Sequence, residues 1–170
     1  MTQATQRGSH THPHSHALGL ADHDHEACVD EAMERARNLC IARGSRLTAL
    51  REQVLRIVWR SHNPIGAYEV LDELAKEHKS ARPPTVYRAL EFLQLHGLVH
   101  KIETRNAFLG CAEAGIRHEA QFFICERCGT AEEVIDDGLT KAVEDAAKAH
   151  SFAVDRKVIE IAGLCERCQS

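Results

Sequence analysis

Apolar residues recur at helical spacing through the first half of the chain. The pattern predicts one helix that begins near Asp30 and stops at Gly44, and a second that follows the N-cap candidate Thr48. A third helix surrounds Val70, and a fourth spans residues 84–96. The fourth helix is amphipathic, and four apolar residues are predicted on its inner face: Val86, Ala89, Leu90 and Leu93.

Alternating apolar and polar residues follow the helices. Residues 98–103 and 106–111 predict two strands that are joined by a turn at residues 104–105. A turn at these two residues sets the pairing of the strands and places His100 opposite Leu109. Several small helices followed by a two-stranded hairpin are typical of a winged helix-turn-helix domain.

Short strands and one helix are predicted in the rear half. Residues 122–124, 133–135 and 158–161 have strand patterns, and the helix lies between the last two. The apolar face of this helix consists of Leu139, Val143, Ala146 and Ala147. One helix over a small sheet is a thin core, so we expect a bound metal and pairing with a second subunit to stabilise it.

These patterns predict an α+β protein with three segments. Residues 1–27 are a histidine-rich flexible tail, residues 28–110 a winged-helix DNA-binding domain, and residues 111–170 a small α/β domain for dimerisation and metal binding. The six histidines of the tail either bind transition metals loosely or are incidental: His10, His12, His14, His16, His23 and His25.

Two Cys-x-x-Cys pairs carry the clearest chemical signal in the chain. They are Cys125 with Cys128 and Cys165 with Cys168, and 36 residues separate the two pairs. Four thiolates make a closed tetrahedral site that suits Zn²⁺ and leaves no open coordination position. Gly129 allows the turn of the first pair to curl back. We therefore predict a structural zinc at these four cysteines rather than two disulfides.

Charge and composition narrow the class of protein. The chain has 170 residues, a net charge of −4 and 44% hydrophobic residues. Residues 44–110 carry ten Lys/Arg against seven Asp/Glu, while residues 111–170 carry seven against twelve. The basic excess indicates that only the front half meets an anionic partner. The sequence shows neither a secretory leader nor a membrane-spanning apolar run, so we expect a cytoplasmic protein whose thiols stay reduced.

Three motifs, in order, resemble the ferric uptake regulator (Fur) family, and most closely its zinc-sensing branch. They are the run RPPTVYRALEFL that begins at Arg82, the run GLVHK that begins at Gly97, and the Cys-x-x-Cys-Gly run that begins at Cys125. The resemblance covers residues 30–170. It implies a homodimeric, metal-dependent repressor that binds double-stranded DNA, with a winged helix in front and a Cys₄ zinc in a rear dimerisation domain.

The exposed side of the fourth helix is the expected DNA-reading surface. Arginine reads guanine with two hydrogen bonds, tyrosine offers a ring and a hydroxyl, and threonine suits a phosphate or a base. The resemblance favours DNA contact by Tyr87 and Arg88, with Thr85 beside them. Arg51 is expected at the DNA backbone, and Arg105 at the wing tip is expected at phosphate or a minor groove. The alternative for any one arginine is a solvated surface charge. A symmetric dimer implies a pseudo-palindromic operator.

A second metal site is predicted between the two halves. His100 and Cys111 are diagonal neighbours on one face of the hairpin, near its open end. His118 and Glu133 complete a mixed set of nitrogen, sulfur and oxygen donors that suits zinc, and the resemblance implies that these four positions form the sensing site. Taken singly, His100 also fits a core histidine, and Cys111 a small buried hydrophobe. We expect two zincs per subunit, one structural and one regulatory.

Departures from the wider family favour zinc over other metals. Iron-sensing members usually carry a histidine-rich stretch just before the first cysteine pair, where this chain has the letters EAQF at residues 119–122. The Cys111 thiolate also favours zinc over Fe²⁺ or Mn²⁺. The sequence thus predicts a zinc-responsive repressor of zinc uptake genes. The alternative within the family is a regulator that senses iron, manganese, nickel or peroxide.

Two other classes of protein fit the sequence less well. A zinc deaminase needs His-x-Glu followed by Pro-Cys-x-x-Cys, and neither motif occurs in the sequence. We therefore expect neither enzymatic activity nor a small-molecule substrate. A zinc buffer or chaperone is suggested by the histidine-rich tail, and zinc-dependent binding to an operator would separate a regulator from a buffer.

Overall fold

The computed structural model describes residues 25–61, 63–115 and 118–169. The tail predicted over residues 1–27 lies outside this part, except for its last three residues. Those residues belong to the first helix, which begins at His25 rather than near Asp30. Val29, in the added turn, is fully buried, so the helix gains apolar contact by starting earlier. In the described part of the chain, no helix is long and apolar enough to cross a membrane.

Among the described residues, four helices and a three-stranded sheet form the front half. The helices are α1 (His25–Ala42), α2 (Ala49–Arg60), α3 (Ala67–Glu77) and α4 (Pro83–Leu95). The strands are β1 (Ile65–Gly66), β2 (Val99–Ile102) and β3 (Ala107–Gly110). They pair antiparallel in the order β1-β3-β2. The predicted winged helix-turn-helix is confirmed, with the β2–β3 hairpin as its wing.

Local sequence explains where these helices begin and end. The Thr48 side chain caps α2 by accepting a hydrogen bond from a backbone N–H of the first turn. Pro83 and Pro84 occupy the first turn of α4, where the missing N–H groups have no helical partner to lose. Gly44 and Gly97 have φ angles of 63° and 64° and follow the ends of α1 and α4. The stop predicted at Gly44 is therefore confirmed, and Gly97 ends α4 in the same way.

The front half has one continuous apolar core. All four residues predicted on the inner face of α4 are buried. They pack with buried residues of the other three helices, which include Met33, Val54, Val58, Val70 and Leu74. Burial of each large aliphatic side chain stabilises the fold by about 1.5–3 kcal/mol. The core therefore fixes which face of α4 points outward.

The wing hairpin has the predicted register. His100 pairs with Leu109, and Ile102 pairs with Ala107. The turn consists of a short 3₁₀ helix over Glu103–Arg105, followed by Asn106 in the left-handed region with φ of 48°. Asparagine tolerates this conformation better than most residues.

In the rear half, the residues that the structure describes form a second three-stranded sheet with two helices. Its elements are β4 (Gln121–Cys125), β5 (Ala131–Val134), α5 (Asp137–Ala149), β6 (Ile159–Gly163) and α6 (Glu166–Gln169). The central strand β4 pairs antiparallel with β5 and parallel with β6. Asp136 caps α5, because its carboxylate accepts the N–H of Leu139 at 2.8 Å.

A second apolar cluster joins the two halves. The wing hairpin and the rear sheet together contribute Ile102, Leu109, Phe122, Ile124 and Ala131. The hairpin therefore has helices on one side and the rear sheet on the other. The boundary predicted between residues 110 and 111 falls at the end of this shared element.

Candidate metal centres and nucleic-acid interface

Parallel pairing of β4 with β6 brings the two cysteine pairs together. Cys125 ends β4 and pairs with Gly163, which ends β6 two residues before Cys165. Because the carboxyl ends of parallel strands share one sheet edge, both Cys-x-x-Cys turns begin at that edge. Gly129 has φ of 80°, and its N–H donates to the Cys125 carbonyl at 3.0 Å. This bond closes the first turn as the sequence predicted.

The geometry of the four cysteines fits a tetrahedral zinc. Their sulfur atoms all lie within 4.8 Å of one another, and those of Cys128 and Cys165 are 3.7 Å apart. Zinc with Zn–S bonds of about 2.3 Å separates its sulfurs by about 3.8 Å. Backbone N–H groups of Cys128 and Cys165 lower the pKa of Cys125 to about 5. Burial raises the pKa of Cys168 to about 12, so this thiol must release a proton when it binds a metal.

The four predicted hinge residues also come together. His100 lies on β2, Cys111 directly follows β3, His118 precedes β4, and Glu133 lies on β5. One ligand atom from each lies within 4.8 Å of the other three. We call this group the hinge cluster. It joins the open end of the wing hairpin to the rear domain.

Distances within the hinge cluster suit a mixed-ligand zinc site. His118 Nε2 lies 3.3 Å from His100 Nε2 and 3.7 Å from Cys111 Sγ. Glu133 Oε1 lies 2.7 Å from His118 Nε2 and 3.0 Å from His100 Nε2. Tetrahedral zinc with Zn–N bonds of about 2.05 Å holds two nitrogens about 3.3 Å apart. The two nitrogens are already at this spacing, the sulfur lies 3.7 Å from one of them, and the carboxylate needs only a small shift.

Burial and hydrogen bonds set the charges in the hinge cluster. Burial, together with the nearby charge of Glu133, raises the pKa of Cys111 far above the ordinary thiol value. Burial also raises the pKa of Glu133, but a hydrogen bond to His100 and the charges of both imidazoles outweigh it, so the net pKa is lowered. Glu133 Oε2 also accepts the N–H of Ala112 at 3.3 Å. The carboxylate is therefore ionised, whereas Cys111 must lose its proton to bind a metal.

Trp59 on α2 fixes the strand that leads to Cys111. A Cβ atom on Gly110 would lie 2.7 Å from the Trp59 ring, so only glycine allows β3 to come this close to the helix. The Cys111 N–H then donates to the Leu98 carbonyl at 3.1 Å. These contacts position the thiol at the open end of the hairpin.

The outer face of α4 presents the predicted DNA-reading residues. Tyr87 is 44% exposed, Arg88 is exposed, and Thr85 is half-buried. All three lie in the first half of the helix, so the N-terminal part of α4 carries the surface that could enter a major groove.

Two other residues that were predicted to contact DNA have guanidinium groups that contact the protein itself. The Arg51 guanidinium lies 3.6 Å from the centre of the Phe92 ring and donates to the Arg46 carbonyl at 2.7 Å. Arg105 Nη2 donates to the Cys125 carbonyl at 3.1 Å. DNA contact by Arg51 and Arg105 stays a prediction, and it must compete with these protein contacts.

Two residues at the junction were not predicted from the sequence. Glu160 accepts hydrogen bonds from the wing turn, and a lone carboxylate between apolar residues of a strand was the only sequence signal. Gln121 is 2% exposed, and its side chain bonds both the backbone of Asp136 and the hydroxyl of Thr140. It therefore ties β4 to the beginning of α5.

Comparison with known proteins gives consistent matches. A sequence profile of the ferric uptake regulator family matches residues 42–162. The zinc uptake regulation protein of Escherichia coli (strain K12) is 39% identical over 141 residues, which cover 82% of each chain. The zinc uptake regulation protein of Mycobacterium tuberculosis (strain ATCC 25618 / H37Rv) is 29% identical over 132 residues, which cover 76% of this chain and 98% of the relative.

Two solved structures share the fold at 38% sequence identity. A zinc uptake regulator complexed with zinc and DNA superposes with a TM-score of 0.80, covering 83% of this chain and 95% of that chain. The holo form of XcZur superposes with a TM-score of 0.75, covering 82% and 98%. Both the profile and the E. coli relative extend over most of the sequence. The chain belongs to the ferric uptake regulator family.

Proposed function

We propose that this protein is a zinc-responsive transcriptional repressor that binds its operator as a homodimer when zinc occupies the hinge cluster, and that it controls zinc uptake genes. The observation that carries the proposal is the convergence of two imidazoles, one thiol and one carboxylate between the winged helix and the rear domain. The similarity to zinc uptake regulators, one of them solved with zinc and DNA, supports it.

The hinge cluster couples metal binding to the position of α4. His100 lies in the wing hairpin and Cys111 directly follows its second strand, whereas His118 and Glu133 lie farther along, in the rear domain. Bound zinc supplies a positive charge that stabilises the thiolate and the carboxylate together. The four ligands then hold the two halves in one arrangement. DNA affinity rises with zinc only if that arrangement is the one that fits the operator, and DNA must in turn raise the affinity for zinc.

The four cysteines are the proposed structural site. Two of their sulfurs belong to the end of β4 and the turn after it, and the other two to the segment after β6. A zinc there would cross-link both strands of a thin rear core. Four thiolates leave no open position for exchange of ligands. The proposal therefore has two zincs per subunit, of which only the hinge zinc responds to supply.

Exposed apolar groups of the rear domain support a homodimer. None of the residues of α5 is buried within the protomer, although the helix has an apolar face. Phe123 and Ile161 pair across β4 and β6 and are 47% and 39% exposed. A second copy of the rear domain would cover this surface. A two-fold dimer presents two α4 helices, and Thr85, Tyr87 and Arg88 of each would contact one half of a pseudo-palindromic operator.

Zinc content and DNA binding, measured together, test this function. We expect two zincs per subunit. Mild chelation should remove one of them, and the protein should then no longer enrich specific duplexes from a random library. Cys111→Ser should retain the fold and one zinc but lose this zinc dependence. Cys28→Ser is the matched control, because Cys28 lies on α1, outside both clusters. Enrichment of the same duplexes by the chelated protein would contradict the proposal.

A further inference from the structure

The turn of the wing hairpin is hydrogen-bonded to the rear domain. The Glu160 carboxylate accepts the N–H of Glu103 at 2.6 Å, the N–H of Thr104 at 3.0 Å, and the Thr104 hydroxyl. On the other side of the turn, Arg105 donates to the Cys125 carbonyl. We call these five residues the wing clasp.

A carboxylate is well suited to hold this turn. The N–H groups of the first turn of a helix have no carbonyl partner within the helix. An ionised carboxylate accepts such N–H groups in charge-assisted hydrogen bonds, which are stronger than neutral ones. Burial raises the pKa of Glu160, but the Thr104 hydroxyl and the two N–H donors outweigh it, so the net pKa is lowered. Glu160 is therefore ionised at neutral pH, as the clasp requires.

The wing clasp and the hinge cluster lie at opposite ends of the same hairpin. His100 and Cys111 are at the open end, and the clasp holds the turn, with Ile102 of the apolar cluster between them. A strand rises about 3.3 Å per residue, so the two anchors are about 10 Å apart. A single anchor would leave the front domain free to rotate about it, whereas a second, separated anchor restricts that rotation, and the apolar cluster between the two restricts it further.

We propose that Glu160 is a positioning residue for DNA binding, because it holds the wing turn against the rear domain and so sets the direction of α4 independently of the zinc ligands. In this arrangement the wing turn is a domain anchor. The inference rests on the proposed function, since it concerns how the winged helix is aligned for an operator. Arg156, which pairs with Glu103 at 2.8 Å, extends the contact at its exposed edge.

The test uses the full-length, zinc-loaded protein with Glu160→Gln. A glutamine can present only one oxygen to the turn, and its NH₂ group faces N–H donors, so the clasp loses bonds. Asp155→Asn is the control, because it removes the same charge from an exposed residue of the loop before β6. Amide exchange of Glu103 and Thr104, followed by NMR, should accelerate at least about tenfold in Glu160→Gln only.

Affinity for a duplex that the wild type selects from a random library is the second readout. Glu160→Gln should bind it about tenfold more weakly at excess zinc, with zinc content unchanged. Unchanged amide exchange would refute the clasp, and faster exchange with unchanged affinity would refute the positioning role. Equal losses of affinity in both variants would attribute the effect to the change in net charge and would also refute the positioning role. If the wild type selects no duplex, the proposed function and the positioning role both fail. The amide exchange then still tests the wing clasp, because it does not depend on DNA.

Discussion

Arg88 and Arg105 are both exposed arginines of the winged helix, but they have different surroundings. Arg88 lies on the outer face of α4, opposite the buried core residues of that helix. Arg105 lies in the wing turn and donates to a backbone carbonyl of the first cysteine turn. An arginine that contacts a base edge contributes sequence discrimination, and one that contacts phosphate contributes affinity that depends on salt. The two residues can therefore be assigned by the kind of DNA binding that each substitution changes.

Replacement of Arg88 tests direct reading of the operator. Arg88→Ala should cost about 1–3 kcal/mol of discrimination between the selected duplex and an unrelated one, because a bidentate contact to guanine is lost. Fluorescence anisotropy with both duplexes measures this difference. Arg60→Ala is the control, since Arg60 is an exposed arginine of α2 that pairs with Glu26 at 3.1 Å. Equal effects of the two substitutions would remove Arg88 from the base-reading surface.

The salt dependence of DNA binding distinguishes two alternative roles of Arg105, contact with the rear domain and contact with DNA phosphate. Its contact with the Cys125 carbonyl predicts that Arg105→Ala weakens DNA binding without changing the slope of log affinity against log salt concentration. A phosphate contact, which the sequence suggested, predicts that the magnitude of the slope falls by about 0.9. We expect the unchanged slope, measured by titration of the selected duplex at several salt concentrations. A slope reduced by that amount would assign Arg105 to DNA.

Elements with a strong local pattern were predictable, and elements set by distant contacts were not. The periodicity of α4 identified its four buried residues, and strand alternation gave the register of the wing hairpin. The strand Ile65–Gly66 has two residues, which is too short for any periodic signal. Turns usually face solvent, and nothing in the local sequence indicates a protein partner for the wing turn. Its partner Glu160 is 56 residues away from Thr104, and no local pattern reports such a contact.

The outward face of the rear sheet provides a test of the proposed homodimer. Phe123→Asp places a charge on the outward face of β4, beside Ile161, and should shift the protein from dimer to monomer because the apolar contact with a second copy is lost. Light scattering after gel filtration measures the mass. Leu95→Asp is the control, because Leu95 is an exposed apolar residue at the end of α4 in the front half. Dissociation by both substitutions, or by neither, would contradict a dimer built on this face.

Across the described part of the molecule, three kinds of contact connect the winged-helix domain, with its predicted DNA-reading helix, to the rear domain. The hinge cluster joins them through the proposed zinc ligands, the second apolar cluster through buried side chains, and the wing clasp through hydrogen bonds. Of these, only the hinge cluster is proposed to depend on zinc. The other two favour the closed arrangement without metal, which reduces the free energy that zinc binding must contribute to switch DNA affinity. The zinc response then depends on the chemistry of the four hinge ligands, and its proton dependence can be measured.

The pH dependence of the zinc response follows from Cys111. Burial raises the pKa of this thiol far above neutrality, so between pH 6 and 8 it is protonated before it binds zinc and must release that proton. A group that must lose a proton binds more weakly as pH falls. The free zinc concentration at half-maximal DNA binding should therefore rise about tenfold from pH 8 to pH 7. Anisotropy in zinc-buffered solutions, scaled to DNA binding at saturating zinc for each pH, gives both midpoints. Equal midpoints would exclude Cys111 as a zinc ligand.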